Sequence, residues 1–99
     1  MKEYRGILIQ TVEDEYGEHI SDGIFNFTIT ANNENKATCK MLDYFYEVYW
    51  YCGEEDVDID LFKDMHEYEK VNALNMMNCT FDYIVYYNKE NTEGVEIVI

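Results

Sequence analysis

Residues 34–52, ENKATCKMLDYFYEVYWYC, decide how the chain folds, because they read in two ways. Met41, Phe45 and Val48 recur at helical spacing, and so do Leu42, Phe45 and Tyr49. The polar stretch 31–36 (ANNENK) just before them offers Asn32, Asn33 or Asn35 as an N-cap. Residues 44–51 (YFYEVYWY) are instead a run of aromatic side chains with strong strand propensity. As a strand this segment would need burial on both faces. We read residues 34–52 as a helix, with Gly53 in the stop position.

The flanking segments supply the sheet. Residues 4–12 (YRGILIQTV) are β-branched and apolar, and the polar stretch 13–18 ends them, so a strand and a turn are expected. In residues 24–30 (IFNFTIT), Ile24, Asn26, Thr28 and Thr30 share one face while Phe25, Phe27 and Ile29 share the other. That period of two with one apolar face predicts an antiparallel strand covered on one side, and Asp22-Gly23 before it is turn chemistry. Downstream, residues 54–60 (EEDVDID) place carboxylates where the positive end of a helix dipole would favour them. Leu61, Met65 and Tyr68 then give a helical stripe from about 58 to 70, and residues 71–78 extend it or form a connection. Residues 79–88 (CTFDYIVYYN) read as a strand, 89–94 as a loop and 95–99 (VEIVI) as a short closing strand. The expectation is one acidic α+β domain spanning residues 1–99. Its order is ββααββ, with an antiparallel four-stranded sheet and helices packed on one face.

The chain of 99 residues carries 21 Asp and Glu against 7 Lys and Arg, a net charge of −14. Its 16% aromatic content argues against intrinsic disorder, since disordered acidic chains are poor in aromatics. The charge argues against direct contact with nucleic acid, which needs clustered Lys and Arg, and against anionic membrane surfaces. No apolar run approaches the ~18 residues of a spanning helix, and Met1-Lys2-Glu3 opens no signal peptide. Cys39, Cys52 and Cys79 form no CxxC pair and read as reduced thiols in a cytoplasmic protein. His19 and His66 stand in no nucleophile or metal signature, and the five glycines make no phosphate loop. His66, near Asp64 and Glu67, reads as a surface residue paired with a carboxylate. A non-enzyme without a cofactor is expected.

The feature left for function is the run from Glu54 to Glu69. It holds Glu54, Glu55, Asp56, Asp58, Asp60, Asp64, Glu67 and Glu69 against Lys63 alone, half of the net charge of the chain. Such density costs stability through self-repulsion, which a cationic partner would relieve, although a merely solvated helix N-terminus is the plain alternative. If the run is helical, Asp56/Asp60, Asp60/Asp64 and Asp64/Glu67 place carboxylates about 6 Å apart, a spacing comparable with that of phosphates along a nucleic-acid strand. Tyr51 adjoins the run and is the aromatic expected at an interface. The spacing also suggests calcium. From Asp56 as position one, Asp58, Asp60, Asp64 and Glu67 match an EF-hand, but Leu61 replaces its glycine and Lys63 opposes a cation.

An apolar helix ending at Trp50, an acidic run and then Leu61-Phe62-Lys63-Asp64-Met65 resemble the second half of small prophage-encoded type II-A anti-CRISPR proteins. The resemblance covers residues 34–69. It implies a stoichiometric inhibitor, working in the cytoplasm of the bacterial host cell, whose acids mimic DNA. Glu54, Glu55, Asp56, Asp58, Asp60, Asp64 and Glu67 would then occupy the basic groove of a defence nuclease such as Cas9. The chain departs from the family in lacking a helix before its first strand and in adding a C-terminal strand pair. An immunity protein against a bacterial toxin nuclease would use the same electrostatics, and a calcium-binding module is the reading from a different class.

Overall fold

The computed structural model describes residues 1–49, 58–75, 79–88 and 97–99, and only the backbone of Ile20, Ser21 and Cys79. Strands β1 (Lys2–Glu13) and β2 (His19–Ala31) form a long antiparallel hairpin. The reversal lies at 14–18, because the Asp14 carboxylate accepts the backbone N–H groups of Tyr16 (2.9 Å) and Glu18 (2.8 Å). Gly17 there takes φ +79°, a conformation that costs glycine no Cβ clash. Asp22 and Gly23, expected to turn, instead lie within β2 opposite Thr11 and Gln10. Closure by Asp14 leaves them long enough partners to continue the ladder.

Strand β3 (Cys79–Tyr87) lies antiparallel on the other side of β1, and β4 (Ile97–Val98) pairs with β2. The expectation of a wholly antiparallel sheet is corrected here: the order is β3-β1-β2-β4 and the β2–β4 pair is parallel, so the sheet is mixed. The physical reason is that the hairpin stands between the last two strands. β3 and β4 run in the same direction on opposite edges, and on the β2 edge that direction is parallel. Ile99 continues this ladder, donating its N–H to Thr28 O (2.9 Å) and accepting from Thr30 N (3.1 Å).

Helix α1 (Glu34–Val48) settles residues 44–48 of the ambiguous segment as helical. Asn33 caps it by accepting from Lys36 N at 2.8 Å, and Ala37, Met41, Leu42, Phe45 and Tyr46 are buried along it. Its described span ends at Val48 with Tyr49 as C-cap, and the expected end at Cys52 and stop at Gly53 lie outside the described residues. Val48 is half exposed rather than part of the stripe. The single helix expected over 58–70 is two helices, α2 (Ile59–Asp64) and α3 (Glu67–Leu74). Met65 and His66 between them are extended, with ψ 151° and 160°. That break shifts the helical phase. Leu61 and Tyr68 of the expected stripe are therefore exposed, while Phe62, Lys70 and Leu74 are buried. Among the described residues no helix is long and apolar enough to cross a membrane.

The helices cover the sheet face formed by Tyr4, Gly6 and Leu8 of β1 and by Phe27 and Ile29 of β2, all buried. The other face exposes Ile24, Ile84 and Val98. Where α1 crosses β1 a glycine is required by space: a Cβ on Gly6 would stand 2.6 Å from Met41 Sδ and 2.9 Å from Ile29 Cδ1. Gly6→Ala is expected to lower stability by about 1–3 kcal/mol through overpacking. Urea unfolding checks this, with a shifted midpoint and an unchanged slope as the expected outcome.

Candidate functional site

Of the acids predicted to form a binding surface, Asp58, Asp60 and Asp64 are described on and around α2, and all three are exposed. Tyr51, Glu54, Glu55 and Asp56 lie outside the described residues. Asp58 is the N-cap of α2 and accepts from Asp60 N at 2.8 Å. Asp60 and Asp64 stand one helical turn apart and make no ion pair among the described residues. As i and i+4 neighbours on a helix they face the same side, about 5–6 Å apart at Cβ.

A helix of six residues has little stability of its own. What holds α2 is Lys70 of α3, whose side chain is 1% exposed. Its ammonium donates to the carbonyls of Phe62 (2.8 Å) and Lys63 (3.2 Å), so a cation from a neighbouring helix satisfies C-terminal carbonyls of α2. The same ammonium donates to Asp43 Oδ1 of α1 and lies 4.9 Å from the centre of the Phe62 ring. Phe62 in turn stacks on Tyr46 of α1, with centroids 4.2 Å apart and planes 8° apart. Burial pushes the Asp43 carboxyl above its ordinary range, against the hydrogen bond and charge of Lys70.

Glu67 and Glu69 are placed differently from the α2 acids. The break at Met65–His66 removes Asp64 and Glu67 from a common helix, so that expected pair is not formed as helical neighbours. Glu67 accepts the Tyr83 hydroxyl at 2.7 Å and the Asn35 amide at 3.4 Å, tying α3 to β3 and to the start of α1. Burial, and then the adjacent Glu67 carboxylate, push the Tyr83 hydroxyl well above its usual range. Glu69 accepts from His66 N at 3.3 Å. The His66 ring stacks on Tyr68 at 5.9 Å, and His19 pairs with Asp22 at 2.9 Å on the hairpin, away from α2. That pairing lowers the Asp22 carboxyl, chiefly through its hydrogen bond with His19. Burial pushes the half-buried Cys39 thiol up, which holds it in its less nucleophilic protonated form.

The calcium reading needs a ligand loop over 56–67, yet residues 59–64 of that span are helical and Asp58 caps them. Among the described residues no three His, Cys, Asp or Glu side chains gather into a metal-holding group. No protein-family model, curated protein or solved structure matches the chain.

Two features went unseen in the sequence. One is the Lys70 clasp, which the stripe from Leu61 to Tyr68 gave no reason to expect. The other is a groove of about 400 Å³ between α3 and β3, lined by Glu67, Tyr68, Val71, Asn72 and Tyr83. Lys70→Met is expected to cost about 3 kcal/mol, since it leaves Asp43 and two carbonyls without their cation. Joint replacement, Lys70→Met with Asp43→Leu, should recover much of that loss in the same denaturation assay. Tyr83→Phe removes one hydrogen bond to a carboxylate and is expected to cost about 1–2 kcal/mol, read as a lowered melting temperature.

Proposed function

We propose that the protein is a non-catalytic, stoichiometric inhibitor that presents α2 to the basic nucleic-acid-binding groove of a partner protein. The observation that carries this reading is the pair Asp60 and Asp64: exposed, one helical turn apart, and held on a helix clamped by Lys70. Carboxylates on a fixed scaffold lose less entropy on binding than carboxylates on a mobile tail. A net charge of −14 adds long-range attraction toward a cationic groove and opposes contact with nucleic acid itself. Arg and Lys side chains that contact phosphates would meet Asp60 and Asp64 in charge-assisted hydrogen bonds. A defence nuclease such as Cas9, encountered in the cytoplasm of a bacterial host, is the partner suggested by the sequence resemblance. A toxin nuclease offers the same kind of groove.

The test is a titration of the protein against duplex cleavage by a Cas9 ribonucleoprotein and, in parallel, by a panel of toxin nucleases. Suppression near one molar equivalent, relieved by added salt, is expected for at least one of them. Asp60→Lys with Asp64→Lys should raise the concentration needed at least tenfold, while the melting temperature stays within a few degrees of the parent. An undiminished inhibition by the double variant would refute the role of α2. Failure of the parent protein to inhibit any basic nuclease would refute the reading as a whole.

A further inference from the structure

We propose that the outer edge of β3 is a strand-addition site, taking an extended partner segment in which apolar and basic residues alternate. The inference rests on the reading of the protein as a binder of a basic partner, and it names a second surface through which that partner is held.

The backbone geometry defines the site. β3 pairs with β1 in unbroken register from Cys79 to Tyr87, and Asn88 N donates to Glu3 O at 3.0 Å just beyond. Hydrogen-bonding direction alternates along an antiparallel strand, so the even-numbered residues of β3 face β1. The N–H and C=O groups of Phe81, Tyr83 and Val85 consequently point away from the sheet, and among the described residues β3 is the last strand on that side. Edges of this kind are usually protected by proline, lysine or a bulge. β3 contains no proline and no lysine, and its register with β1 has no bulge. The opposite edge of the sheet is occupied in part by β4.

The side chains beside this edge specify the occupant. An added strand would bring every second side chain to the helix-covered face, next to the groove formed by Glu67, Tyr68, Val71 and Asn72 of α3 with Tyr83 of β3, where the Glu67 carboxylate already accepts the Tyr83 hydroxyl. Tyr68 is exposed and Val71 half-buried, so that side accepts apolar groups. The alternate side chains would emerge on the open face, where Asp82 is exposed beside Thr80, Ile84 and Tyr86 and the whole chain supplies a negative field, so that long stems can lie along Ile84 and Tyr86 while cationic heads reach that field. Basic residues fit there. A second copy of this chain could offer the same backbone groups, but it would bring another net charge of −14 to the contact.

The probe is a ten-residue peptide alternating lysine and valine, with blocked and fluorescently labelled ends, added to the full-length protein. Its control carries N-methyl groups on the valine nitrogens, which keeps charge and side chains but, for a peptide added antiparallel, removes the donors facing β3. The unmodified peptide is expected to bind at least tenfold more tightly than the control by anisotropy. It should also slow amide exchange at Phe81, Tyr83 and Val85 at least tenfold, and Tyr68→Lys should weaken it at least tenfold. Equal affinity of the two peptides, or protection confined to α2, would overturn the inference. Protection of the same three amides on raising protein concentration alone would overturn it in favour of a second copy. The α2 double variant separates the two levels. If its nuclease inhibition is lost but the peptide leaves β3 unprotected, only the strand-addition site fails; if inhibition also persists, the role of α2 fails with it, and if the parent inhibits no nuclease the underlying reading fails.

Discussion

Lys70 is the one side chain on which the arrangement of the helical layer depends. A buried ammonium is tolerated only where its charge and its donors are matched, and here the partners come from two other helices: Asp43 on α1 and the carbonyls of Phe62 and Lys63 on α2. A single cation thus joins the two short helices α2 and α3 to α1, which is itself docked on the sheet by its buried apolar stripe. Desolvation offsets much of the attraction within such a pair, so its contribution is one of position more than of net stability. It determines where α2 ends. It also sets α3 in a phase that buries Leu74 and leaves Tyr68 outside.

The sheet supplies the second constraint. Gly6 lets α1 approach β1 closely enough for Met41 to pack over the strand, and Phe25, Phe45 and Phe81 join that contact into an aromatic cluster with centroid separations of 5.3 and 6.3 Å. With the hairpin at its centre, the sheet has two unlike edges. A short parallel strand extends the β2 side, while the β3 side retains outward-facing backbone groups next to α3. The acidic helix and the open strand edge are therefore built by the same packing, since α3 both carries Lys70 and forms one wall of the groove. Under the proposed function, this packing would let one partner be met by charge at α2 and by backbone hydrogen bonds at β3.

Much of the fold was legible in the chain because it depends on local period. The alternation of residues 24–30 identified the covered face of β2, including the placement of Ile24 on the open side. The spacing of Met41, Leu42 and Phe45 outweighed the strand propensity of residues 44–48, since burying one helical stripe requires less cover than burying both faces of a strand. Local period failed where the chain changed phase. Leu61, Met65 and Tyr68 looked like a stripe only while the helix was taken as continuous, and two extended residues at 65–66 broke that continuity. The acids were legible as a charge density, but their separate employments were not: Asp58 caps a helix, Glu67 meets Tyr83, and Asp60 and Asp64 remain in solvent.

By itself the sequence determined an α+β fold, a strongly acidic character and the residues available for a charged surface, because these follow from composition and short-range periodicity. Tertiary structure decided the direction of β4, the division of the second helix, the burial of Lys70 and the meeting of α3 with β3. Each of those depends on groups far apart in the chain, and a ladder or a buried charge is satisfied by whatever partner the fold brings to it. Lysine is among the residues least often fully buried, so nothing at position 70 announced its role until Asp43 and the end of α2 stood around it.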